Sequence, residues 1–203
     1  MIKKLYASYS GVFNIFKMYW AAYGGFSSLI ISPYFHLAIL IAWLLQPYWI
    51  SGQWWNTSIS ILPNIVGFAL GGYAILVGFG DDKFMKVISR KSEKTKVSYS
   101  PFLEVSAAFA HFIIVQLLAL FFAIIAIGIS VDGVIKLGEK SVGPIIFGWD
   151  FSYILTKTPA LFNATGFFLF IYALLAAVAA TLSIFRVTSW FDRINNMSNN
   201  EGN

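Results

Sequence analysis

The chain has 203 residues, of which 58% are apolar, 18% aromatic and 11% charged, with a formal net charge of +5. A soluble domain carries about 25% charged residues, so this composition excludes an ordinary soluble globule and an acidic, disordered chain alike. There is no cysteine, which excludes disulfides and thiolate metal sites.

The apolar residues fall in four runs, 26–49, 58–80, 101–129 and 161–184. Each is long enough to cross a hydrocarbon layer of about 30 Å, which takes roughly 20 helical residues. Strands of a membrane barrel would alternate apolar and polar positions over about ten residues; these runs are continuously apolar. The expected fold class is an all-α integral membrane protein: an interfacial amphipathic helix over 1–25, a four-helix transmembrane domain over 26–185, and a tail over 186–203. Eleven of the 14 Lys and Arg residues lie before the first run, in the 81–100 loop or after the last run; Lys136, Lys140 and Lys157 lie elsewhere. The positive-inside rule then puts both termini and the 81–100 loop in the cytoplasm of a bacterial-type inner membrane, and 50–57 and 130–160 outside.

Taken in chain order, the first segment begins like a signal peptide, but Asn14 and Lys17 interrupt its apolar core, so no cleavage is expected. At 3.6 residues per turn, Leu5, Tyr9, Val12, Phe13, Phe16, Tyr19 and Trp20 share one face, opposite Lys3, Ala7, Ser10, Asn14 and Lys17. Such a helix lies on the inner leaflet with its lysines near anionic headgroups; the alternative is that its aromatic face packs on the protein's own bundle or on a neighbouring subunit. Gly24 and Gly25 form a hinge into the first span. That span carries Pro33 and His36 and ends on Tyr48, Trp49, Trp54 and Trp55, expected as a belt at the membrane boundary.

The second span contains a GxxxG unit, Gly67 to Gly71, which lets two helix backbones approach closely and so predicts a helix partner for that face, either within the chain or in another copy. The loop after it carries Lys83, Lys86, Arg90, Lys91, Lys94 and Lys96. Its basicity sets the topology, and it is also the candidate contact for anionic lipid or a soluble cytoplasmic protein. Nucleic-acid contact is not expected, because the loop is too short for a recognition fold and has no aromatic-interleaved basic platform.

The third span opens with Ser100 as N-cap and Pro101 at the first helical position. Its 29 residues exceed what a bilayer needs, so Glu104 falls at headgroup level on the cytoplasmic side. His111 lies two turns deeper on the same face and Gln116 on another. These three are the candidate intramembrane polar residues, with an inter-helix hydrogen bond as the plain alternative for His111. The outward segment 130–160 is largely apolar and aromatic and is expected to lie on the outer interface or cap the bundle. The fourth span follows Pro159, and Ala173, Ala176, Ala177 and Ala180 suit it to close helix packing, with Ala173, Ala177 and Ala180 as the candidate contacts. The polar residues after Val187 predict a disordered tail.

No metal cluster, cofactor motif or catalytic site is legible. The two histidines have no HExxH-type spacing, and P-loop and GxSxG motifs are missing. The expectation is a non-enzymatic, homo-oligomeric membrane scaffold or sensor; the alternative is an oligomeric channel or membrane-disrupting effector, which would need a polar stripe or a gate that closes by dewetting.

A short aromatic amphipathic start, four spans, the stretch Leu62-Pro-Asn-Ile-Val-Gly-Phe-Ala-Leu-Gly-Gly-Tyr-Ala-Ile-Leu-Val-Gly-Phe-Gly-Asp-Asp82 and the basic loop after it resemble the small bacterial membrane proteins of phage-defence loci, of the Kiwa membrane-subunit type. The resemblance is one of layout over the whole chain. It implies a membrane sensor that assembles with a soluble cytoplasmic partner, and it carries over no site residues, because no motif matches residue by residue.

Overall fold

The computed structural model describes residues 2–51, 53–78, 82–90, 99–128, 145–146, 149–150 and 152–201. Among them, helices run in the order α1 (Ile2–Tyr23), α2 (Gly25–Ile31), α3 (Pro33–Leu44), α4 (Gln46–Ile50), α5 (Trp54–Gly78), α6 (Asp82–Ile88), α7 (Pro101–Gly128) and α8 (Ser152–Glu201). Between α7 and α8, β1 (Ile145–Ile146) pairs antiparallel with β2 (Trp149–Asp150). Three apolar stretches, Trp54–Ile75, Pro101–Ile127 and Ala160–Ile194, are long enough to cross a membrane, and α2 with α3 makes a fourth if that bent pair is one span.

The expected first span, 26–49, is not one helix. It breaks at Ser32, and α2 and α3 are bent by 55°. Proline lacks the N–H that would continue the ladder and pushes the residue before it out of the helical region; Ser32, with φ −61° and ψ 123°, is extended. The helix breaks again at Leu45, and the indole N–H of Trp49 donates to the Ala42 carbonyl at 2.8 Å near the end of α3. The Gly24–Gly25 hinge is present. Both residues have positive φ, 99° and 65°, and a β-carbon on Gly24 would also collide with Ser28 Oγ. Ser100 caps α7 as expected, its Oγ accepting the Leu103 N–H at 3.3 Å.

The described residues form two compact units. The first draws on Met1–Phe35, Phe68–Ile113 and Ala176–Asn203. Val105, Phe109 and Phe112 of α7 and Ala176, Ala180 and Val187 of α8 are buried in it, and Tyr73 of α5 meets Phe109 with ring centroids 5.5 Å apart. The polar tail expected from 186 onward is helical to Glu201. No glycine or proline interrupts 186–201, and tertiary packing anchors the extension: the ring of Phe191 sits edge-on to buried Phe84 of α6 at 5.2 Å. Composition alone missed this because it weighs polarity without the apolar contacts that hold the segment.

The second unit draws on His36–Gly67 and Ile114–Leu175. Its α7 residues Ala119 and Ala123 are fully buried, a small-xxx-small pair of the kind that allows close helix approach. Trp54, expected in the interfacial belt, is fully buried here instead. Its indole N–H donates to Asn163 Oδ1 of α8 at 3.2 Å. A paired N–H and the space left by Gly166 make burial of the whole ring favourable. Tyr48 and Trp55 keep partial or full exposure, and Tyr48 shares a 2.6 Å hydrogen bond with Thr57. Helix α8 begins at Ser152, ahead of Pro159; residues 129–144, where most of the outward segment falls, lie outside the described residues.

Candidate functional site

Within the first unit, the end of α1 meets α7 at His111. The Tyr19 hydroxyl and His111 Nδ1 share a hydrogen bond of 2.8 Å. The Tyr23 ring stacks on the imidazole with centroids 3.9 Å apart, and Trp20 lies 6.3 Å from the same ring. Residues 19, 20 and 23 are one and four apart, so two adjoining rows of the α1 surface close over one residue of α7. His111 is buried as a result.

This divides the amphipathic helix. Its last turn packs on the bundle, whereas Tyr9, Val12, Phe13 and Phe16 earlier on the same face remain exposed. Lys17 Nζ stands 4.6 Å above the Phe13 ring, a contact of the cation–π kind. Side-chain placements for Lys3, Lys4 and Leu5 lie outside the described residues. Partial burial pushes the Tyr19 hydroxyl up to about 12 from its ordinary 10.0, and neighbouring Tyr23 adds to the shift.

Beside this contact, the α1–α2 elbow and the start of α7 enclose an open cavity of about 460 Å³, whose lining includes Tyr23, Gly24, Ser28, Tyr99, Glu104 and Ala108. Glu104 is exposed at its mouth, one of the positions singled out as polar in the third span. Sequence reasoning does not find Tyr99, because nothing in the local pattern around it distinguishes a loop tyrosine from a cavity wall.

The other expected residues are scattered. Gln116 is fully buried in the second unit, and neither amide atom has a hydrogen-bond partner among the described residues. It lies about 140° around α7 from His111, as five residues of a 3.6-fold helix require. A β-carbon added to Gly67 or Gly71 would meet no described atom within 4 Å, so of the two expected partners for this face, the one within the chain is not seen among the described residues. The neighbour Gly72 faces α8 instead, where its β-carbon would stand 3.8 Å from Ile184 Cδ1. A GxxxG unit records only that backbones could approach, and the rotation of α5 turns a different glycine inward. Ala173 and Ala180 are buried with Ala176, whereas Ala177 is only partly so.

Of the basic loop, Lys86 and Arg90 are exposed at the end of α6, whose Phe84 and Ile88 point into the first unit. The side chain of Lys83, and residues Lys91, Lys94 and Lys96, lie outside the described residues. Among the described residues no group of three His, Cys, Asp or Glu is placed to hold a metal ion. Compared with known proteins, the chain matches no family model, no curated protein and no solved structure.

Proposed function

We propose that this chain is a multi-pass protein of a bacterial inner membrane, with both termini cytoplasmic, and that it acts as a non-enzymatic, homo-oligomeric scaffold or sensor recruiting a soluble cytoplasmic partner. The setting is anti-phage defence, as in the membrane subunits whose layout it resembles. Three or four helices of spanning length and the eleven-to-three distribution of Lys and Arg support the membrane and its orientation.

One observation carries the sensor reading over the channel. His111, the ionisable side chain well inside α7, is engaged by Tyr19 of α1 and so is not offered to a pore axis. It instead ties a membrane helix to an amphipathic one, whose exposed Tyr9, Val12, Phe13 and Phe16 meet the surroundings. The exposed charges of Lys86 and Arg90 at the end of α6 are the recruiting surface, where clustered basic residues attract an acidic partner. One observation favours the channel or membrane-disrupting reading: the Gln116 amide, buried in the span and without a hydrogen-bond partner among the described residues.

The test is co-purification from mild detergent with the genomic neighbours co-expressed, followed by the same experiment with Lys86→Glu and Arg90→Glu combined. A stoichiometric soluble partner that is lost in the double variant is the expected result. Ion conductance by the purified protein in liposomes, abolished by Gln116→Leu, replaces the scaffold with the channel.

A further inference from the structure

The cavity under the α1–α2 elbow has a chemistry that restricts what can occupy it. Glu104 supplies a carboxylate, Tyr23 and Tyr99 supply phenols, Ser28 a hydroxyl, and Ala108 part of an apolar wall. Among the described residues the Glu104 carboxylate has no ion-pair or hydrogen-bond partner, and neither has the Ser28 hydroxyl. No described Lys, Arg or His lines the cavity, so the one described charge there, the Glu104 carboxylate, favours a cation. A metal ion would need several ligating side chains where one carboxylate stands. A wholly apolar occupant would strip water from a carboxylate and a hydroxyl without compensation. What fits is a cation small enough to approach the carboxylate, carried on a short alkyl stem that lies against the alanine side, with phenol rings close by for a cation–π contact. At about 460 Å³ the cavity is within the range of about 300–1,000 Å³ typical of small-ligand sites.

We propose that this cavity binds a primary ammonium group on a short alkyl chain, with the Glu104 carboxylate as counter-ion and Tyr23 and Tyr99 as its aromatic walls. The ammonium comes either from an ethanolamine lipid headgroup or from a free alkylamine. The lipid source rests on the membrane reading above, which puts the start of α7 at headgroup depth. Occupancy is read out by geometry already present: Tyr23 lines the cavity and also stacks on His111 at 3.9 Å, and His111 holds Tyr19 of α1. A ligand against Tyr23 thus bears on the contact that docks the amphipathic helix.

The experiment uses the full chain in nanodiscs and has two arms. In the first, discs of equal phosphatidylethanolamine and phosphatidylglycerol are analysed by native mass spectrometry for retained lipid. In the second, ethanolamine is added to discs of phosphatidylglycerol alone and binding is read by ligand-observed NMR. The expected result is retention of phosphatidylethanolamine, binding of ethanolamine, or both, in the wild type. Glu104→Gln and Tyr99→Ala should each lower it about fivefold, the scale of one partly solvated charge contact, while Asp192→Asn leaves it unchanged. A positive first arm alone assigns the lipid headgroup; a positive second arm assigns the free amine. No preference in either arm, or equal binding by wild type and Glu104→Gln, overturns the proposal. Circular dichroism shows that each variant is folded, and carbonate extraction tests the membrane reading separately: a chain washed out by carbonate overturns that reading, whereas an inserted, folded chain that ignores ammonium overturns only the cavity's assignment.

Discussion

The indole of Trp54 lies so close to Gly166 that a β-carbon at position 166 would collide with Cη2 and Cζ2 of the ring. The same indole donates its N–H to Asn163, one turn earlier on α8. This contact joins α5 to α8 inside the second unit, and it makes a glycine in the middle of an apolar helix a requirement of packing. Gly166→Ala gains about 1 kcal/mol of helix propensity, but overpacking costs roughly 1–3 kcal/mol. We expect net destabilisation, measured by loss of helix signal against added SDS in mixed micelles. Trp54→Phe in the same chain, which removes the colliding half of the indole, should recover part of the loss. Additive effects of the two substitutions would refute the contact.

The Tyr19–His111 hydrogen bond predicts that Tyr19→Phe loosens α1. A net hydrogen bond is worth about 1 kcal/mol, a roughly fivefold change in the docked to undocked ratio. Hydrogen exchange should rise through residues 12–23 while α7 stays protected. Unchanged exchange would mean that the ring stacking alone holds the helix.

The same contact has a pH signature. Tyr19 titrates at about 12 when docked and near 10.0 when released. The released form therefore gives up its proton first as pH rises, and the docked form binds more protons between these values. Docking is at full strength below about pH 10 and weakens from there through about pH 12, so this group gives no pH dependence around neutrality. Exchange at α1 should show this transition in the wild type and lose it in Tyr19→Phe.

No described atom would meet a β-carbon at Gly67 or Gly71, so Gly71→Leu is expected to leave the fold of one chain intact. If that face meets a second copy, as the oligomeric reading holds, the bulk costs roughly 1–3 kcal/mol at the closest approach. Light scattering after size exclusion should then show a smaller particle, with the chain still inserted. Gly72→Leu is the contrasting variant, because it presses on Ile184 within the chain and should lower stability. A wild-type monomer in native lipid would end the oligomer hypothesis.

The chain has no cysteine, so single-cysteine reporters are free of background. Gln53→Cys should react with an impermeant thiol reagent in intact cells and Ser92→Cys should not. The reverse pattern would invert the proposed topology.

Sequence alone was sufficient for the helical class, the approximate apolar spans, the Gly24–Gly25 hinge and the Ser100 cap. Each of these follows from local physics: the length needed to cross hydrocarbon, the φ range open only to glycine, and the missing N–H of proline. Pro33 was visible too, but whether a proline kinks a span or divides it depends on what its freed neighbours pack against, and the 55° bend belongs to the tertiary structure. The same holds for the tail, which reads as polar and is helical, with Phe191 set against Phe84 near its start. Periodicity placed Tyr19 and Trp20 on an apolar face and could not say whether lipid or protein covers it, because both are apolar solvents to an aromatic ring. Only the approach of α7 decided that the last turn of that face belongs to His111 and the earlier turns do not. The glycines make the point most sharply: spacing identified Gly67 and Gly71 as places where a backbone could come close, but the rotation of each helix, set by all its contacts at once, sent Ile184 to Gly72 and Trp54 to Gly166.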